Sequence, residues 1–291
     1  MSHNHHIDRN LAVTVILNGI ITVGQLIGGI ISGSLALISD ALHNFSDVVS
    51  VILAYLAHRI GMKPQTIQST FGYKRAEILA AFINSITLIA LSVYIIVEAI
   101  KRFMNPKEVD YIWMFALGFL GLVANSLSVL LLHENKEEDL NIRAAYLHLI
   151  GDAMTSLAVI VGAVFIWLYH VYWIDPLVTV LISVYIFIHT FAILKESVGI
   201  LMQFAPATID QQKVIQVLKE IEQIQSVHHI HLWRLSDLQI YFEAHLVLSS
   251  NFPVADTQLI TENAKRLLNI RFGITHTTFQ YEFISCINCN C

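Results

Sequence analysis

The sequence predicts an α-helical membrane protein with six transmembrane helices followed by a small cytoplasmic α+β domain. Of its 291 residues, 55% are hydrophobic and only 13% are charged, whereas an average soluble domain carries about 25% charged residues. Apolar segments of about 20 residues, the length that crosses a bilayer core, recur up to Leu194. After Leu194 the pattern changes to shorter helices and strands. The formal net charge of −5 offers no basic surface for binding nucleic acid.

Six apolar segments are long enough to span a membrane. Charged residues and histidines enter only the second, fifth and sixth of them. Because six is an even number, both termini lie on one side of the membrane. The predicted spans are Leu11–Ile31, Leu35–Ala57, Ile78–Val97, Tyr111–Leu132, Ala144–Tyr169 and Pro176–Leu194.

The distribution of Lys and Arg predicts that this side is the cytoplasm, which makes the membrane the cell (inner) membrane if the source is bacterial. Cytoplasmic loops carry the excess of basic residues in membrane proteins. With both termini inside, the inner segments hold eight basic residues and the outer loops three. The inner ones are Arg9, Arg59, Lys63, Lys74, Arg75, Lys136, Arg143 and Lys195, and the outer ones are Lys101, Arg102 and Lys107.

The last third of the chain predicts a ferredoxin-like domain of order α-β-β-α-β. Its expected elements are a helix over 209–224, strands over 227–235 and 240–248, a helix over 253–268 and a strand over 277–283. The predicted division of the chain is a His-containing N-terminus (1–10), a transmembrane domain (11–204), a cytoplasmic domain (205–285) and a Cys tail (286–291).

Two identical pairs of ionisable residues lie within predicted spans. His43 and Asp47 are four residues apart in the second span, and His148 and Asp152 are four apart in the fifth. Residues i and i+4 share one helix face, so each pair presents both groups in one direction. An ionised carboxylate at mid-membrane costs about 2.5–3.5 kcal/mol on insertion scales. A hydrogen bond within each helix is the structural alternative, but the repetition of the pair favours a shared site.

Two imidazoles and two carboxylates form a ligand set that a tetrahedral transition metal accepts. Mg²⁺ and Ca²⁺ prefer oxygen ligands, so Zn²⁺ is the expected ion, ahead of Co²⁺, Cd²⁺, Ni²⁺, Mn²⁺ and Fe²⁺. The ligands bind metal only when deprotonated, so protons and metal compete for them. This chemistry suits a metal/proton exchanger. Asp40, one turn before His43, either supports the site, lies near the outer interface or bonds to a neighbouring helix.

Two other classes of function are open at this point. A non-transporting membrane zinc sensor would use the cytoplasmic domain, but it gives no reason to place two acids inside the membrane. A membrane di-metal oxidase or hydroxylase would need more ligands and an open coordination position. The four residues of the two pairs would all be used by one ion, so the chain is not expected to be an enzyme.

Four sequence runs resemble the cation diffusion facilitator family. They are SDALHNFSD in the second span, FGYKRAEILAAFIN entering the third, HLIGDAMTS in the fifth and VHHIHLW in the last third. The histidine in the second-span pair is similar to the zinc-preferring branch of zinc transporters and cobalt–zinc–cadmium resistance exporters. The resemblance implies a homodimer that moves Zn²⁺ out of the cytoplasm in exchange for protons by alternating access. It also implies that His43, Asp47, His148 and Asp152 form the transport site.

The resemblance implies a second set of metal ligands in the cytoplasmic domain. His245, His276 and Glu282 match family positions that bind cytoplasmic zinc, and His228 matches a position used in some members. His133, at the end of the fourth span, matches a loop histidine that joins this site in some zinc transporters. On a regular strand, His229 and His231 share one face and His228 takes the other, so the three are not expected to reach one ion.

The Cys tail has the spacing of a soft-metal chelate. Cys286, Cys289 and Cys291 can offer two or three thiolates to one ion. In some members of the family an N-terminal histidine motif of the partner subunit completes such a tail, a part that His3, His5 and His6 could play here. A reduced, mobile tail is the equal alternative.

Overall fold

The computed structural model describes residues 19–133 and 140–283, without the side chains of residues 131–133 and 140–145. The elements of the described chain are eight helices and three strands. They are α1 (Gly19–Ser32), α2 (Leu35–Gly61), α3 (Ala76–Met104), α4 (Tyr111–His133), α5 (Leu140–Tyr169), α6 (Ile174–Leu201), α7 (Gln211–Lys219), β1 (Ile224–Arg234), β2 (Ile240–Leu248), α8 (Val254–Phe272) and β3 (His276–Glu282).

The helices α2 to α6 are each long and apolar enough to cross a membrane. Together with α1, whose described part is shorter, they confirm the predicted six-helix fold class. In the six-helix part of the chain, the usual distribution of buried apolar and exposed polar side chains is partly reversed. Polar Asp40, Asp152 and Ser183 are fully or almost fully buried, while Ile188 exposes 64% of its surface. Outward apolar side chains suit contact with lipid, whereas inward polar ones find partners within the bundle.

The helices extend beyond the apolar spans that the sequence predicted. Helix α3 continues past Val97 to Met104, and α6 continues past Leu194 to Leu201. Hydropathy measures the apolar part alone, while a helix can continue into water because its backbone hydrogen bonds are internal.

The start of α2 is fixed by a carboxylate from α6. Asp175 is fully buried, and it accepts hydrogen bonds from the Ser34 hydroxyl at 2.6 Å and from the backbone N–H groups of Leu35 at 2.9 Å and Ala36 at 3.2 Å. The first N–H groups of a helix lack intrahelical partners, and an acceptor there also interacts favourably with the helix dipole. Asp175 therefore ties α6 to the beginning of α2.

The C-terminal domain, from Gln211 of α7 to Glu282 of β3 and called the tail domain below, has the predicted α-β-β-α-β order. Strand β1 pairs antiparallel with β2, and β2 pairs parallel with β3. The parallel pair requires a crossover connection, which α8 supplies. The first helix ends at Lys219 rather than at the predicted residue 224. Ile221 and Ile224 follow the helix and are buried in the core of the domain. Their spacing matches that of the apolar helix residues, which explains why the sequence pattern extended the helix too far.

One face of the sheet carries the hydrophobic core and the other carries polar side chains. Phe242, Ala244 and Leu246 of β2 are buried with residues of α7 and α8. Successive residues of a strand point to opposite faces, so Glu243 and His245 lie on the opposite, polar face of β2. This polar face holds the histidines of the domain that are discussed below.

The fold divides the chain into two compact units. One contains the described residues of 1–55 and 83–194, and the other contains the described residues of 56–82 and 195–291. Residues of the loop between α2 and α3 thus group with the tail domain, where the rings of Phe71 and Tyr241 lie 5.7 Å apart, measured between their centroids. The domain boundaries expected from the sequence remain predictions.

Candidate metal sites

The structure brings His43, Asp47, His148 and Asp152 together between α2 and α5. His43 Nε2 lies 3.3 Å from Asp152 Oδ1 and 3.8 Å from Asp47 Oδ2. His148 Nε2 lies 3.3 Å from Asp47 Oδ2 and 3.6 Å from Asp152 Oδ2. Each histidine therefore contacts the acid of its own helix and the acid of the other helix. The i, i+4 spacing accounts for the first kind of contact, and the packing of α2 with α5 produces the second.

The three shorter of these four distances are close to the edge lengths of a metal tetrahedron. Ligand atoms about 2.0–2.2 Å from a tetrahedral Zn²⁺ are separated from one another by about 3.3–3.6 Å. Three of the residues, His43, His148 and Asp152, each offer a ligand atom within 4.8 Å of the others. Asp47 Oδ2 and Asp152 Oδ1 are buried and have no hydrogen-bond partner. A buried, unpartnered carboxylate oxygen is costly, and a cation bound between these atoms would remove that cost.

The four ligands differ in exposure. The side chains of His43 and Asp152 are 11% and 3% exposed, whereas those of His148 and Asp47 are 48% and 31% exposed. The site is therefore closed at His43 and Asp152 and open at His148 and Asp47. Asp47 lies nearer to the Gly61 end of α2 than His43 does, so the open side of the site faces that end.

Asp40 is bound to two neighbouring helices and does not lie at a water interface. It is fully buried. Its Oδ1 accepts a hydrogen bond from the Thr155 hydroxyl at 2.7 Å, and its Oδ2 accepts from Ser156 Oγ at 3.1 Å and from Gln25 Nε2 at 3.2 Å. Thr155 Oγ1 also lies 2.9 Å from the backbone oxygen of Asp152. Asp40 thus links α2 to α1 and α5 immediately beside the four ligands.

A second group of ligands lies on the polar face of the tail domain. His245 Nδ1 lies 2.8 Å from Glu282 Oε1, and His228 Nε2 lies 3.2 Å from Glu282 Oε2. All three residues offer ligand atoms within 4.8 Å of one another. His228 Nε2, His245 Nδ1 and Glu282 Oε2 are buried, and beyond these mutual contacts they have no hydrogen-bond partner. This donor set, two imidazoles and a carboxylate with unsatisfied atoms, fits a zinc ion.

His276 lies apart from this group. It is the first residue of β3 and Glu282 is the last, and six residues of a strand span about 20 Å. His276 is paired with Tyr241, whose ring lies 4.5 Å from it. Burial raises the pKa of the Tyr241 phenol, so this neighbour stays neutral. Within one chain, His228, His245 and Glu282 therefore form the group, and His276 lies outside it.

Several expected ligands lie outside the described residues. Cys286 and Cys289 follow residue 283, the last described residue. His3, His5 and His6 precede residue 19, the first described residue. The backbone of His133 is described, but its side chain is not.

An irregularity in β1 is the feature of the tail domain that the sequence pattern missed. His228 pairs with His245, and His231 pairs with Glu243. Between these two pairs β1 moves on by three residues, whereas β2 moves by only two. The extra residue is a β-bulge, and His229 within it has a positive φ of 51°. Because of the bulge, His228 and His231 face the same side, contrary to the expectation from regular alternation. Two adjacent histidines inside an alternating run are the only signal of it in the sequence.

Two family sequence models match the chain in succession. Residues 11–202 match the cation efflux transmembrane domain, and residues 206–283 match the cytoplasmic domain of cation efflux proteins.

Bacterial metal transporters are similar to the chain over nearly their whole lengths. A cadmium, cobalt and zinc/H(+)-K(+) antiporter of Bacillus velezensis is 36% identical, covering 97% of this chain and 92% of the relative. The zinc transporter ZitB of Escherichia coli is 35% identical, covering 92% and 85%. The metal cation efflux system protein CzcD of Cupriavidus metallidurans is 32% identical, covering 98% and 90%.

Proposed function

Because the chain belongs to the cation efflux family, the cation diffusion facilitators, we propose that it exports divalent transition-metal cations in exchange for protons, with Zn²⁺ as the main substrate. The four residues His43, Asp47, His148 and Asp152 form the transport site. The observation that carries this assignment is the pair of buried carboxylate oxygens, Asp152 Oδ1 and Asp47 Oδ2, that each lie 3.3 Å from an imidazole nitrogen of the opposite helix. The family consists of transporters, and the relatives described above carry transporter names.

Transport follows from the chemistry of the ligands. In the inward-facing state the deprotonated imidazoles and carboxylates bind the cation. After the helices rearrange to open the other side, protons bind the same atoms and displace the ion. Exchange requires no separate proton site, because one set of lone pairs accepts either H⁺ or the metal.

The exposure of the ligands supports entry from the cytoplasm. His148 and Asp47 form the open side of the site, and they lead towards the Gly61 end of α2. The distribution of basic residues supports a cytoplasmic position for that end and for both termini. The same exposure pattern supports an inward-open site with His43 and Asp152 at its closed end.

The tail domain supports a homodimer and a regulatory metal. Its match to the cytoplasmic domain of cation efflux proteins supports a dimer of two identical chains. His228, His245 and Glu282 would hold a Zn²⁺ ion there, with the ion crosslinking β1, β2 and β3. Joining three strands through side chains would stiffen the domain when cytoplasmic zinc is abundant.

Zinc flux in proteoliposomes tests the transport site. We expect zinc uptake driven by an imposed pH gradient in wild-type protein and none in Asp152→Asn, because the amide removes a negative ligand while keeping the side-chain size. Glu98→Gln is the matched control, since Glu98 pairs with Lys101 at 3.6 Å on α3 and not with the four ligands. Thermal unfolding in detergent establishes that both variants are folded.

The results separate transport from its alternative. Flux that persists in Asp152→Asn would show that the transport site lies elsewhere. A wild-type protein that binds zinc but carries no flux, with or without a pH gradient, would favour the non-transporting sensor.

A further inference from the structure

The β-bulge of β1 brings two histidines face to face outside both sites described so far. His229 Nε2 and His231 Nε2 are 3.3 Å apart, and neither residue belongs to the group of His228, His245 and Glu282. We propose that His229 and His231 bind a second divalent transition-metal ion in the tail domain. This proposal does not rest on the assignment of the transport site.

The spacing of the two nitrogens is that of two ligands on one ion. Two imidazole nitrogens about 2.0–2.1 Å from a tetrahedral Zn²⁺ lie about 3.3–3.4 Å apart. The rings meet at 84°, with centroids 4.8 Å apart, so each directs its Nε2 towards the other without stacking. Without an ion the two rings share one proton in a hydrogen bond, and metal binding would replace that proton.

The backbone at His229 is held in a conformation that few side chains adopt. Its φ of 51° lies in the left-handed region, which is unfavourable for a residue with a Cβ atom. Regular alternation would place His228 and His231 on opposite faces of β1. The bulge instead turns the His229 ring onto the same side as both of them.

The two ion sites of the domain would be adjacent. The His229 ring stacks on His245 at a centroid distance of 4.5 Å and an angle of 28°. His245 directs its Nδ1 to Glu282, whereas His229 directs its Nε2 to His231. The stacked rings thus separate two sets of nitrogens that belong to two different ions.

The remaining coordination positions are open to water and to one carboxylate. His231 is exposed. It lines a cavity of about 400 Å³ together with Glu243 and Gln211. Glu243 is the cross-strand partner of His231, so it lies on the same face. A site of two neutral imidazoles completed by oxygen ligands selects Zn²⁺, Co²⁺, Ni²⁺ or Cu²⁺ over Mg²⁺ and Ca²⁺.

Counting bound zinc in the full-length protein tests the second site. The parent is an Asp152→Asn variant in detergent, which has a disabled transport site, and bound zinc is measured by equilibrium dialysis. The test variants are His229→Asn, which tolerates a positive φ but lacks the imidazole, and His231→Gln. The control is His276→Gln, which removes an exposed histidine at the far end of the same face.

Each test variant should bind one zinc ion fewer per chain than the parent, and the control should bind the same number. Adding His228→Ala to His229→Asn should then remove one further ion. An unchanged zinc count in the double variant His229→Asn/His231→Gln would overturn the proposal. The loss of both tail-domain ions in the single variant His229→Asn would also overturn the proposal. In that case His228, His229, His231 and His245 would form one site.

Discussion

Asp40 is a buried carboxylate whose partners within the described residues are uncharged. Three donors from two helices hold it, namely Gln25 Nε2, Thr155 Oγ1 and Ser156 Oγ. Thr155 follows the proposed ligand Asp152 by three residues, and Asp40 precedes the proposed ligand His43 by three. The bond between them therefore fixes how α2 and α5 are positioned along each other, and with that the distance from His43 to Asp152.

The Thr155 hydroxyl provides a test of this positioning. Thr155→Val removes the donor while keeping the shape, so we expect the free energy of unfolding to fall by about 1–3 kcal/mol, the cost of an unsatisfied buried group. We also expect a higher KM for zinc, because the two ligand-bearing helices lose a crosslink. Thermal unfolding in detergent and flux as a function of zinc concentration measure the two effects.

Thr155→Ser is the matched control for this prediction. It retains the hydroxyl and loses only a methyl group, so its KM should stay near the wild-type value. If Thr155→Val and Thr155→Ser had the same KM, the hydroxyl would have no part in positioning the ligands.

At the scale of whole elements, a glycine on α4 leaves room for the Asp40 network. A Cβ atom at Gly121 would lie 2.4 Å from Gln25 Nε2 and 3.2 Å from Ser156 Oγ, and both of these atoms donate to Asp40. Residues without a Cβ allow helices in a membrane to approach closely. Helix α4 therefore helps to shape the site although it supplies none of the four ligands.

Gly121→Ala should displace Gln25 from Asp40. We expect a lower thermal unfolding temperature and slower zinc flux in this variant. Gly24→Ala is the control, because a Cβ at Gly24 meets nothing within 4 Å and alanine favours a helix over glycine. Equal unfolding temperatures for the two variants would mean that Gln25 can move without cost.

The tail domain shows the same dependence on element packing. The sheet places His228 opposite His245 and Val247 opposite Glu282. Three residues that are far apart in the sequence thereby meet on one face. The position of His276 follows from the same register, because it is paired with Tyr241 at the other end of β2.

On the scale of the whole molecule, competition between protons and metal determines the direction of exchange. Histidine has an unperturbed pKa of about 6.5, and only its neutral form binds metal. A lower pH on the outer side therefore favours release of the ion, whereas a neutral cytoplasm favours loading. Transport continues as long as the proton gradient maintains this difference.

Zinc affinity at the transport site should consequently fall as the pH falls from about 8 to about 5.5. The expected loss approaches about tenfold per pH unit for each imidazole that must release a proton. Calorimetry of a His229→Asn/His245→Gln variant, which lacks a ligand of each proposed tail-domain ion, would measure both the affinity and the number of protons released in buffers of different ionisation enthalpy. The additional substitution His43→Gln should weaken binding and reduce the pH dependence, because one imidazole is lost. An affinity independent of pH would exclude direct competition.

Features that depend on local periodicity and composition could be predicted from the sequence. Apolar segments of span length predicted the six membrane helices, and short alternating runs predicted β2 and β3. The i, i+4 pairs placed each histidine beside its acid because helix geometry is local. The αββαβ order also followed from local patterns.

The tertiary structure alone decided which residues from distant segments meet. The partners of Asp40 come from two distant parts of the chain, and no local period encodes such contacts. The place of His228, rather than His276, beside Glu282 depends on the strand register, and the approach of His229 to His231 depends on one bulged residue. A single inserted residue reverses the faces of all that follow it in a strand, so local alternation could not predict this arrangement.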